Sequence, residues 1–316
     1  MHSSTRIVFP AGQTEASSRI VHLHRLTPTA AAPGERGASG AVRSSEAGRW
    51  VVITEQTPFH PLDHTWPDQP GDSGQLVVDG ETLTVADCLT AARPTEGGSL
   101  TVDGQITARR GSKDHYWYAA HVLSDAHDGQ DLRGLAGADA HLRVDTARRR
   151  ALSTAHSVCH LVGLAINTAF RERWRKQVTT DGLGRPDFDA LAITSSRLTE
   201  SGSTDVHRLG SSLRRRGFVA DGLADVLPGL VDEVSATVHG WLAADAPITV
   251  TADGDRLEDI RTWTCALPEG THHTHCGGTH PERTGELAVT AVDMALDHDG
   301  KTLTVTTRTH PSGDRP

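Results

Sequence analysis

The chain has 316 residues, with 31 Lys+Arg against 40 Asp+Glu for a net charge of −9, plus 19 His, 4 Cys and 36% hydrophobic residues. That composition fits a globular protein long enough for two domains and argues against one that coats nucleic acid by bulk charge. The sequence holds no apolar run long enough for a membrane span and no basic-then-apolar leader, and its few Cys predict free or metal-bound thiols in a reducing, cytoplasmic setting.

In chain order, Ile7-Val8-Phe9 and Ile20-Val21-His22-Leu23 are short apolar runs, and the Ala/Pro/Gly/Ser-rich stretch from Thr27 to Gly48 reads as a long loop. Trp50-Val51-Val52-Ile53 is a strand by its β-branched content. Leu76-Val77-Val78, the turn Asp79-Gly80 and Leu83-Thr84-Val85 predict a hairpin. Strands are also expected over Leu100–Ile106 and Tyr116–Leu123. Residues 1–144 are therefore expected to form a small, β-barrel-like domain. The pattern changes at Asp145. From Thr146 to about Lys176 there is no Pro and a single Gly, and Leu152, Ala155, Val158, Cys159, Val162, Ala165 and Ile166 recur at helical spacing, with Asp145 or Thr146 as the cap. A second helix is expected from about Asp221 to Ala244, interrupted near Pro228-Gly229. Strands follow over Ile248–Thr251, Arg261–Ala266, Leu287–Val292 and Leu303–Thr307. Residues 145–316 are thus expected to be an α+β domain, which makes the whole chain α+β.

Two segments carry chemistry. His156 and His160 lie four apart inside the long helix, one turn above each other on one face, where two imidazoles can share a metal. Cys276-Gly277-Gly278-Thr279-His280 places a thiol and a third imidazole around paired glycines that let the backbone fold tightly. Three imidazoles and a thiolate suit tetrahedral zinc, so His156, His160, Cys276 and His280 are the predicted ligands. His272, His273 and His275, just upstream, are candidate substitutes or proton shuttles. Cys88, Cys159 and Cys265 read as buried small hydrophobes.

The helical HxxxH followed by CGGTH resembles the metal signature of the alanyl-tRNA synthetase editing domain and its free-standing relatives, the AlaX-type trans-editing proteins. Thr57-Pro58-Phe59-His60-Pro61 with Gln69-Pro70-Gly71-Asp72-Ser73-Gly74, Asp145-Thr146-Ala147-Arg148-Arg149, and Thr284-Gly285-Glu286-Leu287 extend the resemblance over about residues 50–295. It implies a zinc-dependent hydrolase that deacylates mischarged tRNA, with aminoacyl-tRNA as partner and no synthetase catalytic domain. It also implies a substrate pocket drawing on His60, Asp63, His64, Trp66, Asp68, Gln69 and Asp72, with Gly277, Gly278 and Thr279 beside the metal. The family has a glycine-rich run before its Gln-Pro. Here Leu62-Asp63-His64-Thr65-Trp66-Pro67-Asp68 stands in that place. Polar partners in a pocket favour a hydroxyl-bearing side chain, so Ser or a Thr-like residue, fluorothreonine included, is the expected amino acid.

Neither motif offers the Glu base of HExxH metalloproteases; Ser157 stands in that place. No side chain is therefore assigned as catalytic, and the nucleophile is left to water activated by zinc. Four protein ligands engaged at once would make a closed, structural site, which keeps open a non-catalytic zinc-stabilised module that binds tRNA or a protein, and after it a small-molecule esterase or amidase using the same metal. Of the basic clusters Arg148-Arg149-Arg150, Arg171/Arg173/Arg175/Lys176 and Arg214-Arg215-Arg216, the last is the predicted tRNA contact, because three contiguous Arg before Gly217 suggest an exposed turn.

Overall fold

The computed structural model describes residues 3–26 and 48–310. The loop expected between Thr27 and Gly48 falls almost wholly outside the described residues. The contacts divide the chain into two compact units, residues 1–149 with 252–261, and residues 150–251 with 262–316.

The first unit carries β1 (Arg6–Ile7), β2 (Glu15–Arg25), β3 (Trp50–Thr54), β4 (Gln56–Thr57), β5 (Gly74–Val78), β6 (Glu81–Pro94), β7 (Thr101–Val102), β8 (His115–Leu123) and β9 (Asp139–Val144). Six of them pair antiparallel in the order β5-β9-β2-β3-β8-β6, and β6 pairs back to β5, which closes a barrel and leaves no free edge. The β5–β6 hairpin has the expected turn: Asp79 (φ 50°) and Gly80 (φ 86°) take the consecutive left-handed conformations of a two-residue loop. Every residue of β3 is buried. Val52 faces a cluster with Ile20, Phe59, Leu76 and Leu142, and Val51 and Ile53 face a second with Leu89, Tyr118 and Val122. This is why that strand reads as a continuous apolar run. Over Leu100–Ile106 the expected strand shrinks to β7, because Asp103 turns to φ 47° and opens a short 3-10 helix.

The second unit carries α1 (Thr146–Ala169), α2 (Phe188–Ala192), β10 (Ile193–Thr199), β11 (Gly202–Arg208), α3 (Ser211–Arg215), α4 (Leu223–Ala243), β12 (Ile248–Ala252), β13 (Arg261–Leu267), β14 (Gly270–His275), β15 (Val289–Leu296) and β16 (Thr302–Thr309). A four-stranded antiparallel sheet runs β10-β11-β16-β15 and a smaller one runs β12-β13-β14. The core between helices and strands gathers Val158, Leu161, Val162, Ala165 and Ile166 of α1 with Val234, Val238 and Trp241 of α4 and Leu303 and Val305 of β16. The first turn of α1 is capped by Asp145, whose Oδ1 accepts from the N–H groups of Ala147 and Arg148 at 3.1 Å each.

Two expected boundaries shift. The long helix stops at Ala169, not near Lys176, because the chain beyond it pairs with the segment around Phe218: Arg175 N–H donates to Gly217 O at 2.9 Å and Val219 N–H to Arg173 O at 2.8 Å. The second helix is not interrupted at Pro228. Its apolar face, Leu223, Leu227, Val234, Val238 and Trp241, is buried along its whole length, and that packing outweighs the single backbone bond an exposed proline removes.

Candidate metal centre

In α1, Ser153, His156, Ser157 and His160 fall at positions i, i+3, i+4 and i+7, a polar stripe along one face. Facing that stripe are Cys276, Thr279 and His280, from the turn that follows β14. The Cys276 Sγ lies 3.4 Å from the Nε2 of His156, 3.4 Å from that of His160 and 3.2 Å from that of His280. The four predicted ligand residues offer atoms that all fall within 4.8 Å of one another, and the set can hold a metal ion.

The donor set fits zinc. Zinc is borderline soft and takes imidazole nitrogen and thiolate sulfur together, with bonds of about 2.0–2.3 Å, which gives a tetrahedron with edges of roughly 3.3–3.7 Å. The Cys276 contacts, at 3.2–3.4 Å, fall at or just below the short end of that range. Burial favours the neutral, metal-ligating form of the two helical imidazoles: it pushes His156 down to about 4 and His160 well below the ordinary histidine value.

The neighbours fix how the rings point. Ser157 Oγ lies 2.9 Å from His280 Nδ1, and that contact leaves His280 Nε2 directed at the cluster. So the residue in the place of a metalloprotease Glu orients a member of the four-residue cluster. Ser153 Oγ meets Thr279 Oγ1 at 2.7 Å, tying helix to turn one step further along. The Trp263 ring of β13 stacks on His160 with centroids 4.8 Å apart. Ser153 and Trp263 carry no motif signal and Ser157 is marked only by its place in the HExxH comparison; the i, i+3, i+4, i+7 stripe is the signal for the two serines. Of the upstream histidines, His272 Nδ1 accepts from Gly182 N–H at 3.0 Å and His273 Nδ1 lies 2.8 Å from Thr264 Oγ1; neither joins the four-donor set.

The cysteines are free thiols. Cys88 and Cys265 are the buried small hydrophobes expected, and burial raises both thiols, Cys265 to about 12. Cys159 differs, because it is only half-buried and its Sγ lies 3.4 and 3.5 Å from the two carboxylate oxygens of Asp205. It is a polar partner of β11 rather than a plain hydrophobe.

The segment from His60 to Asp72 belongs to the barrel unit. Asp72 is 1% exposed and is held by the Arg149 guanidinium, while its Oδ2 accepts from His60 N–H at 2.5 Å. Arg149 Nη2 also donates to Pro58 O at 2.7 Å. Gln69 is fully buried. His64 is buried against Trp117, ring centroids 5.4 Å apart, and burial lowers its pKa. Asp63 Oδ1 accepts from Thr65 N–H at 2.7 Å, and its other oxygen pairs with Arg110. Asp68 Oδ1 accepts from Gln69 N–H at 2.7 Å. Trp66 alone among the segment's large side chains stands out into solvent. In the second unit Gly278 and Thr279 are buried and Gly277 is half-buried.

Arg214, Arg215 and Arg216 are exposed around α3, anchored by buried Leu213. Several members of the other basic clusters are engaged within the protein. Arg148 donates to Gly71 O at 2.6 Å, Arg171 pairs with Glu233 at 3.2 Å and Arg173 donates to Val219 O at 3.0 Å. Arg149 is a buried residue, not part of a solvated helix face. Among the described residues no helix is long and apolar enough to cross a membrane.

No family model matches the chain. Over 256 residues it is 27% identical to an alanine–tRNA ligase of Ruegeria pomeroyi, covering 78% of this chain and 24% of the relative. It is 28% identical over 265 residues to an alanine–tRNA ligase of a Nocardioides species, covering 84% of this chain and again 24% of the relative. The chain thus spans about a quarter of the length of the curated relatives it matches.

Proposed function

We propose that this chain is a zinc-dependent trans-editing hydrolase that deacylates mischarged aminoacyl-tRNA, of the alanyl-tRNA synthetase editing-domain type. The observation that carries the reading is the convergence of His156, His160, Cys276 and His280, in a chain that aligns along most of its length with alanine–tRNA ligases. When bound there, zinc supplies a Lewis acid beside a water whose pKa falls toward 7. The reaction is hydrolysis: a water oxygen adds to the ester carbonyl, the bond to the terminal ribose oxygen breaks, and that oxygen leaves with a proton. Ser157 holds His280 in orientation, Ser153 and Thr279 brace the turn, and stacking on Trp263 fixes the His160 ring. The amino acid bound is a hydroxyl-bearing one, Ser or a Thr-like residue such as fluorothreonine, because the segment around His64, Trp66 and Asp68 brings polar groups where the family has glycine. Arg214, Arg215 and Arg216 supply contacts to tRNA phosphates.

A panel of tRNAs charged with Ser, Thr, Ala and fluorothreonine tests the reading. Zinc-replete protein should release Ser or a Thr-like residue faster than Ala, and a Trp66→Gly variant should alter that preference. A protein with one equivalent of zinc that hydrolyses none of them supports the second reading, a zinc-stabilised module that binds tRNA or a protein without catalysis. The closeness of all four donors favours that alternative, since four protein ligands mark structural zinc sites.

A further inference from the structure

The four-stranded sheet of the second unit ends in a separate concavity. Strands β10 and β11 turn at Glu200-Ser201, and β16 lies alongside with Gly202 opposite Arg308 and Thr204 opposite Thr306. A cavity of about 380 Å³ opens there, and Arg197, Arg308, His310, Thr199, Ser201 and Thr309 are in its wall. Gly202 is also in the wall, at φ +143°, where a Cβ would lie 1.9 Å from Thr307 O. The two strands therefore approach closely only because that position has no side chain.

Charge gives this cavity a chemistry. Among the described residues no Asp or Glu lines it, and its fixed charges are two guanidinium groups, in a chain whose net charge is −9. The hydroxyl-bearing Thr199 and Ser201 are in the same wall. Arg308 also reaches Asp293 at 3.3 Å, with both side chains largely in solvent; such a pair is weak and gives way to a better anion. Arg197 donates through one Nη to Ser196 O at 2.6 Å, an anchor that fixes the head group near the cavity. Guanidinium forks and hydroxyl donors are the partners that recognise phosphate oxygens.

We propose that this cavity is a phosphate-binding site and that its ligand is the phosphodiester backbone of RNA. The RNA assignment rests on the deacylase reading above; the phosphate chemistry does not. The site is separate from the Arg214–Arg216 run and from the four-donor cluster.

The test compares the full-length protein with an Arg197→Gln, Arg308→Gln double variant. Inorganic phosphate, titrated by calorimetry, should bind the parent and bind the variant at least tenfold more weakly. Uncharged tRNA should bind the variant about tenfold more weakly at low salt. The slope of log K against log salt should become shallower by about 1.4–1.8, the loss of two phosphate contacts at 0.7–0.9 each. Equal phosphate affinity in the two proteins overturns the site. Lost phosphate binding with unchanged tRNA affinity and salt slope overturns the RNA assignment. The melting temperature of the double variant guards against misfolding: neither position is buried, so it should match that of the parent. Zinc content and hydrolysis of charged tRNA by the parent are measured alongside. A parent that hydrolyses no charged tRNA defeats the proposed function, while the phosphate titration still reads this site.

Discussion

Buried histidines occur in both units, and they are used differently. In the barrel, His121 is fully buried with both ring nitrogens occupied: Nδ1 donates to Val52 O at 2.8 Å, and Nε2 accepts from the Thr57 hydroxyl at 2.8 Å. Thr57 Oγ1 in turn accepts from Phe59 N–H at 3.0 Å, so the network closes within the protein. Asp72 and Arg149 nearby do the same with charge. In the second unit, His156, His160 and His280 bring three Nε2 atoms around one sulfur, a donor set that can hold a metal ion. The contrast separates two reasons for burying a polar side chain. A network whose donors and acceptors match internally stabilises a fold, whereas imidazole nitrogens and a thiol converging on one point are the donor set that a soft or borderline metal takes.

The largest expected effect that would break this contrast concerns Asp72. Replacing it with Ala leaves Arg149 buried without its counter-charge and should cost about 3–5 kcal/mol in urea unfolding, with zinc content unchanged in the protein that folds. A loss below about 1 kcal/mol would mean that the pair is not structural. Acid should act next. His121 is held near 4 in the fold against 6.5 unfolded, so the unfolded chain binds its proton first as pH falls. The stability it contributes is complete above about pH 6.5 and is lost progressively toward pH 4, about 3 kcal/mol in all. A His121→Gln variant should show that much less loss over the same window; identical pH profiles would remove His121 as the cause.

Metal removal should come third. With zinc at 100 times its dissociation constant, chelation should lower stability by about 2.7 kcal/mol. It should do nothing to a His156→Ala, Cys276→Ala double variant, which should retain almost no zinc by elemental analysis; full zinc content in that variant defeats the ligand assignment. The smallest effect belongs to Ser157→Ala. Freeing the His280 ring should weaken zinc binding about 10–100-fold, read by competition with a chelator, and should leave the ligand count at four in the spectrum of the cobalt-substituted protein. Unaltered affinity would make the Ser157 contact incidental.

The sequence made some of this legible and left the rest hidden, for physical reasons. HxxxH and CGGTH picked out the four residues that the structure brings together, because each half lies on a short local segment. The Asp79-Gly80 hairpin was readable because only particular residues tolerate left-handed backbone at both turn positions. By contrast β10 and β11, with Ile193-Thr194-Ser195-Ser196 and Gly202-Ser203-Thr204-Asp205, carry too few apolar residues to show a strand period. Their buried side is built from Ser196, Ser203 and Asp205 bonded to one another and to Thr307. His272-His273-Thr274-His275 drew attention as chemistry but forms β14, paired residue by residue with β13. Closure of the barrel was beyond the reach of any local pattern, because the β5–β9 and β2–β9 pairings join strands far apart in the chain.

The stripe on α1 also limits how this gene can vary in length. Each residue added to a helix rotates everything beyond it by about 100° and advances it about 1.5 Å. One codon inserted between His156 and His160 would swing one imidazole off the face that Cys276 and His280 meet, and would carry Val162, Ala165 and Ile166 out of the core with it. Substitutions in this helix are graded in their cost, but a frame-preserving insertion or deletion there is not. The two-residue turn at Asp79-Gly80, exposed and outside every core cluster, can be lengthened with far less penalty. Related genes should therefore differ in length at that hairpin and keep the spacing from Ser153 to His160 constant.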